Sequence, residues 1–377
     1  MADMKKRNIV TILTAFFSFL YLFAESSGDW TTMRIKDSDM SRQVIKHCVR
    51  QISQQKAGGF YVLIDSGYSN NVIDRKYRSK LQETMRYILT RAKKANLQVG
   101  VRISDWEQVI PNIYDSIEPC GRIVISEAVG TGKELFGPDR RTRGHVPIDI
   151  NFIMNTDGLS YTDIALLCFP ANYRRSGIVS DIEMSRHYIP SEAIADFTGS
   201  LDGNGDSIVS VTLPRGEWRL VRIGYVVDPE VFPVNRLDKD ATYLVAERWF
   251  SGFLNMVGKK RYDGVVTRAV IDFAFGHSRI WTRSFKEEFE VRRGYELTSS
   301  DLLLYAGYSI QDKERTDKLT SDIFSTLMEI VESNYYVVFD SVAAEYGCEL
   351  FLNTVWTRSF KPGSEWSPRS LKKEREK

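Results

Sequence analysis

Phe60-Tyr61-Val62-Leu63-Ile64-Asp65 is a short apolar run that ends in a carboxylate. Gly58-Gly59 precede it, and its length and β-rich composition read as a buried strand. On its N-terminal side, Met40 to Gln55 repeats apolar residues at helical spacing. On its C-terminal side, Arg75 to Asn96 does the same through Leu81, Met85, Ile88 and Leu89, and Leu97 to Asp105 forms a second apolar run closing on Ser104-Asp105-Trp106. Strand, crossover helix, strand is a parallel βαβ unit, because parallel neighbours need a long return connection. Both strands end in Asp, at the end of a parallel sheet where α/β proteins carry their chemistry.

The rhythm then changes. From about Gly121 to Val227 the runs are short and strand-like (Arg122–Ser126, Tyr161–Phe169, Ser207–Leu213, Trp218–Tyr225), separated by Gly, Pro, Asn and Asp, which reads as an all-β insertion. Two motif-like stretches inside it lack the chemistry they imitate. Asp202-Gly203-Asn204-Gly205-Asp206 has Ser207 where a calcium loop needs its sharp-turn Gly and Leu213 where it needs the bidentate Glu, so a hairpin turn is expected. Gly130-Thr131-Gly132-Lys133 lacks the leading Gly and the following Ser or Thr of a phosphate loop and is assigned to a loop. Helix and strand patterns resume at Asp238–Val257, Val265–Phe273, Thr282–Val291, Asp317–Tyr346 and Cys348–Val355.

The expected fold is α/β, of the (β/α)8 barrel type. Only four parallel strands are counted where closure needs eight, so the barrel is expected to be incomplete. The expected organisation is a signal peptide over 1–26, the first part of the barrel over 27–120, the insertion over 121–227, the barrel's continuation over 228–356 and a disordered Pro, Ser and Lys-rich tail over 357–377.

Lys5-Lys6-Arg7, the apolar run Ile9 to Phe23 and the small residues Ala24 and Ser26 have the order of a secretory leader, so a secreted or periplasmic protein is expected. The run is shorter than the roughly 20 residues that span a bilayer, so no membrane role beyond the leader is expected. Lys and Arg total 51 against 49 Asp and Glu, a net charge of +2, which makes nucleic acid a poor partner. The four cysteines (Cys48, Cys120, Cys168, Cys348) are far apart with no CxxC, and they read as small buried hydrophobes rather than a zinc cage or a disulfide framework.

Several stretches taken together carry a family likeness: Ser126-Glu127-Ala128-Val129 with Thr131-Gly132-Lys133; Tyr161-Thr162-Asp163-Ile164-Ala165 through Phe169-Pro170; and Pro214, Gly216, Trp218-Arg219-Leu220, Arg222 and Gly224-Tyr225. Further on come Asp238-Lys239, Ile271-Asp272, Trp281-Thr282, Phe285, Phe289, Arg293-Gly294-Tyr295, Gly307, Asp322, Tyr335 and Gly347. In these the chain resembles the N-terminal catalytic portion of glycoside hydrolase family 106, the secreted bacterial α-L-rhamnosidases. The resemblance implies a barrel enzyme or binding protein for rhamnose-containing oligosaccharide or polysaccharide, with a calcium dependence whose ligands this sequence does not locate.

The resemblance also implies two catalytic glutamates. One closes a strand-end Asp-Ser-aromatic-Glu sequence, and this chain reads Asp272-Phe273-Ala274-Phe275 there; the other stands six residues after the position of Gly347, where this chain has Asn353. Inverting glycoside hydrolysis needs one carboxylic acid to protonate the leaving oxygen and one carboxylate to activate water. A phenyl ring does neither, and an amide has no proton of suitable pKa to exchange. Full activity is therefore not expected, and a catalytically inactive carbohydrate-binding or truncated relative is the alternative.

Asp272 and Glu107 are the candidate stand-in acid and base, each weighed against the plainer roles of helix capping and a solvated helix start. Asp65, Asp105, Trp106, Phe275, His277, Trp281 and Asn353 are candidate sugar contacts, the two indoles by stacking or else by packing in the core. The four histidines show no metal-ligand spacing, and no residue is assigned to a metal.

Overall fold

Five parallel strands, Trp30–Ile35, Gly59–Ile64, Gln98–Arg102, Val266–Asp272 and Glu349–Asn353, lie side by side in that order. The computed structural model describes residues 30–36, 40–64, 75–136, 143–154, 156–175, 188–201, 206–229, 233–272 and 279–353. Every pairing in the sheet is parallel. Neighbours in the sheet are also neighbours in strand sequence, the order of a winding barrel wall rather than of a doubly wound sheet. The count is one more than the sequence reading. Trp30–Ile35 was hidden because Thr31, Thr32 and Arg34 interrupt its apolar pattern; as an edge strand it needs only Met33 and Ile35 buried.

By compactness the chain divides into two units: Met1–Ile113 with Val245–Ala274 and Phe339–Lys377, and Tyr114–Leu244 with Phe275–Val338. In the first, one face of the sheet is apolar, with Phe60, Val62, Val99, Val101, Ala269, Ile271 and Leu350 all buried. The helices Arg42–Gln54 and Arg75–Lys94 bury Ile45, Val49 and Ile52, and Leu81, Met85, Ile88 and Leu89, respectively. Ser41 caps the first of these by accepting from the Val44 amide.

The opposite face is concave and mixed in character. The Arg268 guanidinium carbon lies 4.0 Å from the Trp30 ring centre and 4.7 Å from that of Phe351, and Nη1 donates to the Tyr61 hydroxyl at 3.2 Å. Trp30 is on the first strand and Arg268 on the fourth, about 14 Å apart in a flat sheet. Their contact accompanies the curl of a half barrel.

In the second unit, Gly121–Gly132, Tyr161–Pro170, Ala195–Asp196, Gly216–Val227 and Ile280–Trp281 form an antiparallel sheet. Its core joins Leu166, Cys168 and Leu220 to Ile150, Phe152, Val209, Val211 and Leu213, several of them on the two-stranded ribbon of Pro147–Asn151 and Ile208–Thr212. The helices Phe285–Arg293 and Lys313–Val331 belong to the same unit.

Gly130-Thr131-Gly132, expected in a loop, is the end of the long strand instead and pairs with Gly216–Trp218. The glycines are there for close approach: a Cβ on Gly130 would meet Ile150 at 2.8 Å, and one on Gly132 would collide with the Pro214 carbonyl. The expected turn at 202–205, the leader and the tail lie outside the described residues. All four cysteines are free; Cys48 is half-buried rather than buried.

Candidate functional site

The polar residues of the first unit gather where its strands end. Arg102, Asp272 and Asn353 are the last residues of three adjacent strands, with Asp272 opposite Asn353 and Arg102 opposite Val270 in register. Alternation along each strand sets them on the same face as Arg268 and Phe351, two or four residues back.

Asp272 is the hub. Arg102 Nε donates to its Oδ1 at 3.0 Å and its Oδ2 at 2.9 Å, and Arg102 Nη2 approaches Oδ1 at 2.9 Å. The Ser104 hydroxyl donates to Oδ2 at 2.6 Å and Asn353 Nδ2 to Oδ1 at 2.8 Å. With both oxygens accepting from several donors, this carboxylate is committed to organising its neighbours.

Asp105 differs. Its side chain is 8% exposed; Oδ2 accepts from the Ile64 amide at 2.9 Å, while Arg102 Nη1 stands 3.8 Å from Oδ1. Burial pushes its pKa up to about 6, against the opposing pull of the Ile64 amide and Arg102, and the charges of Asp272 and Glu107 push the same way as burial. Glu107 is half-buried and close enough to act electrostatically on both Asp105 and Arg102.

Of the residues expected at the site, the structure therefore brings together Asp105, Asp272 and Asn353, with Glu107 within electrostatic range. Both indoles are covered by protein rather than laid open to a sugar. Trp106 is 1% exposed and packs edge-on against Phe253 at 5.4 Å. Trp281, in the other unit, is 3% exposed against Phe285 and Tyr305. Asp65, Phe275 and His277 lie outside the described residues.

The sequence reading missed Arg102 and Ser104. The signal for Arg102 was its period-2 alternation with Gln98 and Gly100, which sets it on the polar face. Calcium, implied by the family resemblance, finds no fit: among the described residues no three His, Cys, Asp or Glu side chains converge as a ligand set.

A parallel sheet curled as a half barrel, with charged and amide side chains gathered beyond its C-terminal strand ends, defines an α/β protein with its polar cluster where barrel-type folds carry their sites. The sequence model of family 106, described as alpha-L-rhamnosidase, matches residues 160–361, and the chain belongs to that family.

A protein of Formosa agariphila bearing the name "Putative beta-glucuronidase" is 28% identical over 225 residues, covering 52% of this chain and 19% of its own length. The solved structure of a rhamnosidase from Novosphingobium sp. PP1Y superposes with a TM-score of 0.52 at 13% identity, over 85% of this chain and 45% of the other, a likeness of fold. The chain thus spans less than half of either protein.

Proposed function

We propose that this protein recognises α-L-rhamnosides at the strand ends formed by Arg102, Asp105, Asp272 and Asn353, as a secreted member of family 106 acting on rhamnose-containing polysaccharide. The observation that carries this is the convergence of those side chains at adjoining C-terminal strand ends in a chain of that family. The donors and acceptors suit a polyhydroxylated ligand: Asn353 and Ser104 offer hydrogen bonds, and Asp272 holds Arg102 in place. The five strands form part of a (β/α)8-type wall, and the leader-like segment before Ser26 supports export.

A non-catalytic, sugar-binding role is the second reading. It is favoured by Asn353 standing where the resemblance implies a glutamate, and by an Asp272 whose oxygens are already engaged. Calorimetry with L-rhamnose and rhamnose-containing oligosaccharides tests recognition, and release from an aryl α-L-rhamnoside tests turnover. Binding with turnover supports the hydrolase, binding alone supports the second reading, and absence of both removes the proposal.

A further inference from the structure

We propose that Asp105 is the proton donor of this strand-end site, delivering its proton from Oδ1 to the leaving oxygen of a bound rhamnoside. The inference rests on the glycoside-binding reading above and assigns a chemical role within it. Its geometric basis is the unequal use of the two oxygens. Oδ2 is anchored by the Ile64 amide at 2.9 Å, which fixes the carboxyl plane. Oδ1 accepts no hydrogen bond among the described residues, and Arg102 Nη1 stands 3.8 Å away, outside hydrogen-bonding distance. A carboxyl held by one oxygen can present a proton on the other. Asp272 cannot, since both its oxygens already receive donors.

The surroundings keep that proton in place. The groups facing Asp105, which stands in the turn after Gln98–Arg102, are the Ile64 amide from the end of Gly59–Ile64, Arg102 from the end of Gln98–Arg102, Asp272 from the end of Val266–Asp272 and Glu107 from the same turn. A single guanidinium thus serves two carboxylates and is closer to Asp272, so Asp105, largely out of water, keeps its proton to a pKa of about 6.

In the step proposed, the Oδ1–H bond breaks and the proton moves to the exocyclic glycosidic oxygen. The C1–O bond breaks with its electron pair remaining on that oxygen, a water oxygen bonds to C1, and the water's proton passes to solvent. Asp105 is left as the carboxylate and is reprotonated from solvent. No base is assigned, so turnover is slow.

The test compares methyl and 2,4-dinitrophenyl α-L-rhamnosides between pH 4 and 8 with the parent, Asp105→Asn and Asp105→Glu. A poor leaving group needs the acid and a good one does not. For the parent, methyl rhamnoside cleavage is expected to fall above about pH 6. Asp105→Asn is expected to lower it by ~10²–10⁴ at pH 5 and to lower dinitrophenyl rhamnoside cleavage by a much smaller factor, and Asp105→Glu to restore part of the loss on the methyl rhamnoside. Equal loss on both substrates, no loss on either, or a parent that turns over neither would overturn the assignment. Calorimetry with L-rhamnose on the same samples separates the two ideas: binding without acid-dependent turnover removes the proton donor and keeps the binding site, whereas a parent that does not bind removes both.

Discussion

Asp105 links the chemistry of the site to stability. Its pKa is about 6 in the fold against 3.8 for the free side chain, so between those values the folded state holds more protons than the unfolded one and stability falls as pH rises. The loss is complete above about pH 6 and amounts to at most ~3 kcal/mol, at 1.36 kcal/mol per pKa unit. Asp105→Asn keeps an acceptor for the Ile64 amide and removes the ionisation. Urea unfolding should therefore show the variant gaining on the parent from pH 4 to pH 7, whereas a pH-independent difference would contradict the cause assigned to the shift. Asp272→Ala should do the opposite. It leaves Arg102, Ser104 and Asn353 without their common acceptor, a loss of about 1–3 kcal/mol for polar groups left unsatisfied, and equal midpoints for parent and variant in urea would show that the hub carries no stability.

Within the elements, glycine and arginine shape the concave face. Tyr61 lies across Gly100 of the next strand, and a methyl group at Gly100 would run into its ring. Gly100→Ala should therefore lower stability by about 1–3 kcal/mol, the usual range for overpacking; an unchanged denaturation midpoint would mean that the ring moves aside freely.

In the antiparallel unit, Arg222 is 1% exposed and pairs with Asp163 through both its fork nitrogens, at 2.7 and 2.8 Å, with Phe152 and Tyr161 against its guanidinium. Asp163→Ala strands a buried cation and should lower stability by about 3–5 kcal/mol in thermal or urea unfolding; a loss under 1 kcal/mol would show that the cation finds water.

Many residues that carry the family likeness have structural jobs of this kind. Trp218 donates to the Pro214 carbonyl, Arg293 binds Thr326 and Glu329, and Tyr295 donates to Asp322. Gly294, Gly307 and Gly347 take the left-handed conformations that end helical segments.

For the whole molecule, the decisive feature is a parallel sheet of five strands whose outer members, Trp30–Ile35 and Glu349–Asn353, pair on one side only among the described residues. Unpaired amides and carbonyls along such edges invite a further strand. Sedimentation velocity over a range of concentrations should show reversible self-association of the purified chain; a single monomeric species at all concentrations would mean that the edges are protected in solution. The Arg268 contacts with Trp30 and Phe351, which come from the two outer strands, oppose flattening of the sheet. No helix among the described residues is long and apolar enough to cross a membrane.

The parallel strand-helix-strand units and the antiparallel strands between Gly121 and Val227 were legible in the sequence by itself. Each is written in local pattern: period 2 against period 3.6, or turn residues. Thus Phe60–Asp65 and Val265–Phe273 correspond, within a residue or two, to the strands Gly59–Ile64 and Val266–Asp272, and Asp272 and Asn353 do close their strands, whereas the strand expected to run to Asp105 stops at Arg102 and leaves Asp105 in the turn that follows.

Tertiary structure decided what each polar group does. Trp30–Ile35 becomes a strand because Gly59–Ile64 offers it a parallel partner. Asp272 becomes a saturated hub because Arg102 and Asn353 flank it from neighbouring strands. Trp106 becomes core because Phe253 packs against it. Asp105 keeps one oxygen free of hydrogen bonds among the described residues, with Arg102 Nη1 3.8 Å away, and has a raised pKa. Those outcomes depend on desolvation and on donors about 170 residues away in the chain, which no local window of sequence contains.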